Sequence, residues 1–286
     1  MSSNQPIHEL CDLAATSANS TDMALKNSPF AVRLKMLQGT SEESTTLRLV
    51  FAALLEMNRP KIEMLPYPSR VRELVHNEFD RIQTAIEVED EEYFKFKSHC
   101  CRCDLCILAF GRIPVGPEHV EIDGFPFRAC WTNGVSQAVR YLRFILSAGG
   151  RKPFYVIHLG YGWTPATFLS HYYSKRAQTE MFLNLADCLA MHPEILGVLS
   201  GSWWHDEQLD TISPHLSYLR TGWTDHGAEL FLWEVSAQID AVATKNSARR
   251  RRLLEEGVYK PKCYMVVWPR KALLHWASAT RTKIDV

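Results

Sequence analysis

Cys100, Cys103 and Cys106, in the run HCCRCDLC, stand in C-x2-C-x2-C spacing. Thiolates spaced in this way could wrap an iron–sulfur cluster or, with His99, hold a zinc ion. The bacterial ferredoxin run then needs a fourth Cys followed by Pro, and Phe110 and Gly111 occupy those positions. The flanks KFKSH and ILAFG read as helix or strand, so burial of the thiols as small hydrophobes is the alternative to a metal or cluster. With no secretory signal ahead of them, all eight Cys read as cytosolic thiols, not a disulfide framework.

Three further stretches are polar and aromatic where apolar strands are expected to end, the place where open α/β sheets bind ligands. In HLGYGWTP (158–165), Gly160 and Gly162 begin a G-x-G-x-x-G, but Pro165 replaces the last Gly, and no acidic residue follows at the dinucleotide distance. The glycines therefore read as a tight turn, with His158 at its edge as a candidate catalytic group. In GSWWHDE (201–207), His205 and Asp206 follow an apolar run, and either could serve as a general base. Neighbours in an extended segment point to opposite sides, so the two do not read as one dyad. The structural alternative has Trp203 and Trp204 packing and Asp206 capping the next helix. In TKNSARRRRLLEEG (244–257), Asn246 or Ser247 can cap a helix whose first turn offers free N–H groups together with Arg249 and Arg250. Backbone donors, helix dipole and guanidinium groups together attract phosphate. The i,i+4 pairs Arg251–Glu255 and Arg252–Glu256 are the surface alternative.

The elements that must position these groups follow from periodicity. Residues 1–30 read as a flexible tail rich in Ser, Asn, Thr and Ala, and 31–110 as a helical extension. In that extension PSRVRELVHNEFDRIQTAI carries Val71, Leu74, Val75, Phe79, Ile82 and Ile86 on one stripe. From 111 to 286 apolar strands (FYVIHLG, ILGVLSGS, AELFLWEV, CYMVVWP) alternate with amphipathic helices. That alternation predicts an α/β core, a mixed or mostly parallel sheet with helices on both faces. All eight Trp lie between Trp131 and Trp276. Trp163, Trp203, Trp204 and Trp268 fall at expected strand ends; Trp131, Trp223, Trp233 and Trp276 read as packing between layers.

Lys+Arg 32 against Asp+Glu 32 gives zero formal charge and pI near 7.2, without the basic excess of a general nucleic-acid binder. No apolar run reaches the ~18–20 residues of a membrane span, and the N-terminus resembles no secretory signal. A cytoplasmic protein is expected. The phosphate loop G-x-x-x-x-G-K-[ST], H-E-x-x-H, G-x-S-x-G and the kinase signatures are absent.

In the last 60 residues, Asn246 and Gly257 stand eleven apart, followed by Val258-Tyr259 and the strand CYMVVW. This resembles the end of the GNAT superfamily of acyl-CoA-dependent N-acyltransferases, in which a strand is followed by Asn, a helix, Gly–aromatic and a final strand. Leu253 stands where that family often carries a Tyr that protonates the departing thiolate. SWWHDEQLDTISPHLSYLR replaces its Gly-rich pyrophosphate loop. The resemblance implies a group-transfer enzyme that moves an acyl group from a coenzyme A thioester or carrier-bound donor to an amine of a small molecule. His205, Asp206 or His158 would act as base, with Asn246, Ser247, Arg249 and Arg250 on a small anionic, phosphate-bearing ligand. Two other readings stand beside it: a metal or iron–sulfur protein using Cys100, Cys103 and Cys106, and a non-catalytic interaction protein with a Trp-rich surface.

Overall fold

The computed structural model describes residues 5–18, 25–88, 91–159 and 175–284. The chain is α/β and divides into two compact units, one built from residues up to Ile122 with Leu159, the other from Asp123–His158 and the described residues from 175 on.

The first unit is helical. The expected flexible tail is corrected over 5–18, where helix α1 (Gln5–Ala18) buries Cys11, Ala14 and Ala18 at helical spacing and joins Arg33 through Glu9 at 2.8 Å. Helix α2 (Pro29–Lys35) starts with Pro at its first position, while the Ser28 hydroxyl accepts from Ala31 N at 3.1 Å. Helices α3 (Ser41–Asn58) and α4 (Ser69–Val88) follow their apolar stripes; α4 buries Val71, Val75, Phe79 and Ile82. The cysteine run forms one continuous helix, α5 (His99–Leu108). Strands β1 (Ile113–Pro114) and β2 (Glu118–Asp123) pair antiparallel through Ile113–Val120. This unit extends to Ile122, beyond the boundary expected at residue 110.

The second unit holds helix α6 (Gly134–Ala148), strand β3 (Phe154–Leu159), helix α7 (Lys175–Met191) and strand β4 (Gly197–Ser202). Short helices α8 (Leu209–Ile212) and α9 (Tyr218–Thr224) lead to strand β5 (Glu229–Glu234). Helices α10 (Ala237–Thr244) and α11 (Ala248–Glu255), strand β6 (Cys263–Pro269) and helix α12 (Arg270–Ile284) complete it. Its strands lie in the order β3-β4-β6-β5. β3 and β4 run parallel with Tyr155 opposite Val198 and Ile157 opposite Ser200, whereas β6 is antiparallel to both β4 and β5. A parallel pair needs a long crossover; the segment containing α7 provides it.

Strand alternation distributes the core to both faces. Leu199, Met265 and Val267 join Phe125, Tyr141, Phe144, Phe154 and Phe231 on the α6 side. On the opposite side Phe182 of α7 sits 4.8 Å from Trp223, 5.0 Å from Trp268 and 5.7 Å from Trp276. Helices thus cover both faces, as the alternation predicted. Gly197, at the start of β4, lets the end of β6 approach closely. A Cβ there would overlap the Trp268 carbonyl and lie 3.1 Å from Arg270 N.

Candidate functional site at the end of strand β4

β4 runs directly into a single 3-10 turn, Trp203–His205, whose first free amide is met by the Ser202 hydroxyl accepting from Trp204 N at 3.4 Å. The next residue fastens this turn to the segment that enters β6. One Asp206 oxygen accepts from Gln208 N at 3.1 Å and the other from Lys262 N at 3.0 Å, while Gln208 Nε2 donates to the Lys260 carbonyl at 3.1 Å. Burial holds the Asp206 carboxyl above its ordinary range, against the pull of those amides and of Lys262. Asp206 therefore does not cap the next helix, whose N-cap is Gln208 without a side-chain cap bond; its carboxylate forms a local bridge to Gln208 N and a tie across the fold instead.

His205 is 1% exposed, lying edge-on to Trp204 and Trp223 at 6.4 and 6.1 Å between ring centroids. Among the described residues neither ring nitrogen has a hydrogen-bond partner. Burial, helped by the nearby Arg220 cation, pushes its pKa down to about 3. An imidazole in this setting stays neutral and is a poor proton acceptor at physiological pH, which corrects the expectation of His205 as base.

The Arg-rich helix α11 converges on the same turn. Ser247 caps it, its hydroxyl accepting from Arg250 N at 3.2 Å. Arg250, expected with Arg249 to face a phosphate-bearing ligand, turns inward instead. Its side chain is 4% exposed and donates from Nε to the Ala243 carbonyl at 2.6 Å and from Nη1 to the Ser213 hydroxyl at 3.2 Å. Its guanidinium stacks over the Trp203 ring at 4.9 Å. Burial lowers the Arg250 pKa. Tyr259, fully buried beside Leu209 and Ile212, has its phenol raised by burial and then by the Asp206 charge, against Arg250. Arg251 donates to the Lys245 carbonyl at 3.1 Å, and Arg252 lies 3.5 Å from Glu256. Asn246 and Arg249 remain exposed at the helix start.

Two of the three polar strand ends are therefore brought together, joined by Trp203 and Arg250. Of the third, His158 is the penultimate residue of β3, beside β4 and one residue past the Ile157–Ser200 pair; Gly160, Gly162, Trp163 and Pro165 lie outside the described residues. Periodicity missed Ser213, which accepts from Arg250, and the buried Tyr259 whose phenol senses the Arg250 charge. The Gly257–aromatic spacing, with Gly257 at φ +70 ending α11, was the available signal for Tyr259.

Cys100, Cys103 and Cys106 lie along α5, away from any loop. Only Cys100 among the eight cysteines is not buried. Cys103 Sγ accepts from Arg112 Nη1 at 2.7 Å and lies 3.6 Å from His99 Nδ1, while Arg112 Nε pairs with Glu121 at 3.1 Å. Among the described residues no group of three His, Cys, Asp or Glu side chains is placed to hold a metal ion. In a continuous helix the i, i+3, i+6 spacing winds the three thiols through about 120° over about 9 Å of axis, so they do not converge on one ion, which corrects the metal expectation. The Trp residues also do not form one surface: Trp223 and Trp268 are fully buried, whereas Trp131 is exposed.

No protein-family model matches the chain, and no curated protein sequence matches it. It is similar to solved structures of acyltransferases. One, in complex with CoA and 10C-teicoplanin, is 13% identical with TM-score 0.43, over 77% of this chain. Another, with decanoyl-CoA and teicoplanin, is 14% identical with TM-score 0.44, also over 77% of this chain. The chain spans 65% of the length of each. No helix among the described residues is long and apolar enough to cross a membrane.

Proposed function

We propose that the chain is a group-transfer enzyme that moves an acyl group from a thioester donor, coenzyme A or a carrier, to an amine of a small molecule. The observation that carries this reading is the parallel pair at the heart of the second unit. β3 and β4 end side by side, His158 lying one residue from the end of one and the Trp203–His205 turn extending the other, with α11 anchored on that turn. Crevices at the carboxyl ends of parallel strands are where α/β sheets hold their ligands.

In the transfer, the amine nitrogen attacks the thioester carbonyl, the C–S bond breaks, and the thiolate takes up a proton as it leaves. His158 is assigned the proton lost by the amine. His205 is held neutral, and both Asp206 oxygens already accept backbone N–H groups. Asn246 and Arg249, exposed beside the capped start of α11, fit the phosphates of the donor; Arg250 does not, because its donors point inward. The bound donor supplies the activated acyl carbon.

Thermal-shift measurements with acetyl-CoA, CoA and free nucleotides test the assignment. Stabilisation by CoA species, reduced in Arg249→Met, is expected. No stabilisation by any thioester or CoA species removes the acyl-transfer reading.

A further inference from the structure

Helix α6 buries Gln137, Ala138, Tyr141 and Phe144 against the sheet, yet its opposite face is also apolar. Val135 and Leu146 are each 80% exposed, with Val139 and Leu142 open between them. Their 4-3-4 spacing, at 100° per residue, forms a straight seam only about 60° wide. Phe127 and Trp131, just ahead of the helix, extend the seam as an exposed edge-to-face pair with ring centroids 5.9 Å apart. Contiguous exposed apolar surface of this kind marks an interaction site.

Charge identifies the occupant. Arg128, Arg140 and Arg143 are all exposed on this side of the unit; Arg128 lies over the Trp233 ring at 5.6 Å and Arg140 over the Phe231 ring at 5.1 Å, with the Leu230 carbonyl and a Glu229 oxygen at 3.5 Å, and both keep their charge at the surface. From 124 to 151, the stretch that carries the seam, the sequence holds four basic residues (Arg128, Arg140, Arg143 and Arg151) and no acidic one, within a chain of zero net charge. We infer that the exposed face of α6, with Phe127 and Trp131, docks an acidic amphipathic helix of a partner protein. The partner's apolar residues, at i, i+3/i+4 and i+7, fill the seam, and its Asp or Glu residues meet Arg140 and Arg143. A second copy of this chain would bring the same basic surface to the contact. A lipid surface would call for a broader apolar face than this seam.

The test uses the full chain and a fluorescent synthetic peptide with Leu at heptad a and d positions and Glu at the flanking positions, read by anisotropy at low and high salt. Binding that weakens with salt is expected, reduced about tenfold or more by Leu142→Glu. The charge reversal Arg140→Glu/Arg143→Glu abolishes it and transfers binding to the same peptide carrying Lys in place of Glu. Leu142 and Arg143 are exposed, so circular dichroism and Tm of Leu142→Glu and Arg143→Glu are expected to stay as in the wild type, and Arg143→Glu alone is the control for the double reversal, in which Arg140 also leaves Phe231 and the Leu230 carbonyl; Leu146→Ala is a milder second variant should Leu142→Glu disturb the fold. Equal peptide binding by wild type and variants, or no binding, overturns the inference. So does a dimer in sedimentation that Leu142→Glu dissociates, or retention on phosphatidylcholine–phosphatidylglycerol vesicles without peptide binding.

Discussion

Arg249 and Arg250 are neighbours of one residue type, and the structure gives them opposite tasks, which substitution can separate. Replacing Arg250 by Ala removes two charge-assisted hydrogen bonds, to the Ala243 carbonyl and the Ser213 hydroxyl, and the stacking on Trp203. Each such bond contributes about 1.5–3 kcal/mol and a desolvated cation–π contact about 2. Relief from burying the guanidinium charge offsets part of that loss, leaving a net cost of about 3 kcal/mol. For a chain of this size that lowers Tm by roughly 6–12 °C. Arg250→Met keeps the aliphatic stem against Trp203 and is expected to lose less. Arg249→Met, on an exposed side chain, is expected to leave Tm within about 1–2 °C and to weaken binding of a phosphate-bearing donor. The assay pairs differential scanning fluorimetry with titration of CoA into each variant. The reasoning is refuted if Arg250→Met leaves Tm unchanged while CoA affinity falls, or if Arg249→Met unfolds the protein and spares the ligand.

Other perturbations probe separate parts of the fold. His205 titrates at about 3 when folded, far below an unfolded His, so the unfolded chain binds the extra proton between those values. Stability from this group is present above about pH 6.5 and drains by up to about 1.4 kcal/mol per pH unit as pH falls toward 3; urea titrations should show this acid limb flattened in His205→Phe. Gly197→Ala places a Cβ on the Trp268 carbonyl and is expected to cost about 2–4 kcal/mol, measured as a loss of denaturation midpoint with unchanged m-value. Arg112→Met removes the guanidinium that pairs with the buried Glu121 carboxylate, at about 3–5 kcal/mol; adding Glu121→Gln should recover part of the loss in a double-mutant cycle. Thiol titration of the native protein should show one fast-reacting cysteine, absent in Cys100→Ser, and eight after denaturation; several fast thiols would contradict the packing of α5.

The fold was legible where side-chain periodicity is forced by a buried face. The stripe Val71–Val75–Phe79–Ile82 and the apolar runs of β3 to β6 leave no other way to bury their surfaces. Residues 5–18 were misread because Cys11, Ala14 and Ala18 bury a narrow face of small side chains that resembles a polar tail. The site was legible only as places along the chain. Whether Arg250 faces solvent depends on Ser213, 37 residues away in sequence, and on a ring contributed by the turn after β4. No local pattern specifies that pairing. The cysteine run failed for a related reason. Its spacing is compatible with a metal loop, but Leu105, Ile107 and Leu108 are interleaved with the thiols and all are buried. Their burial is met by closing residues 99–108 into a helix, where the three thiols wind along the axis and do not converge on one point. Competition between packing and chemistry for the same residues thus decided both cases, and packing won wherever apolar neighbours outnumbered the polar groups. By the same criterion the unpacked apolar seam on α6 is the anomaly, because nothing in the second unit's own core accounts for Val135, Leu142 and Leu146.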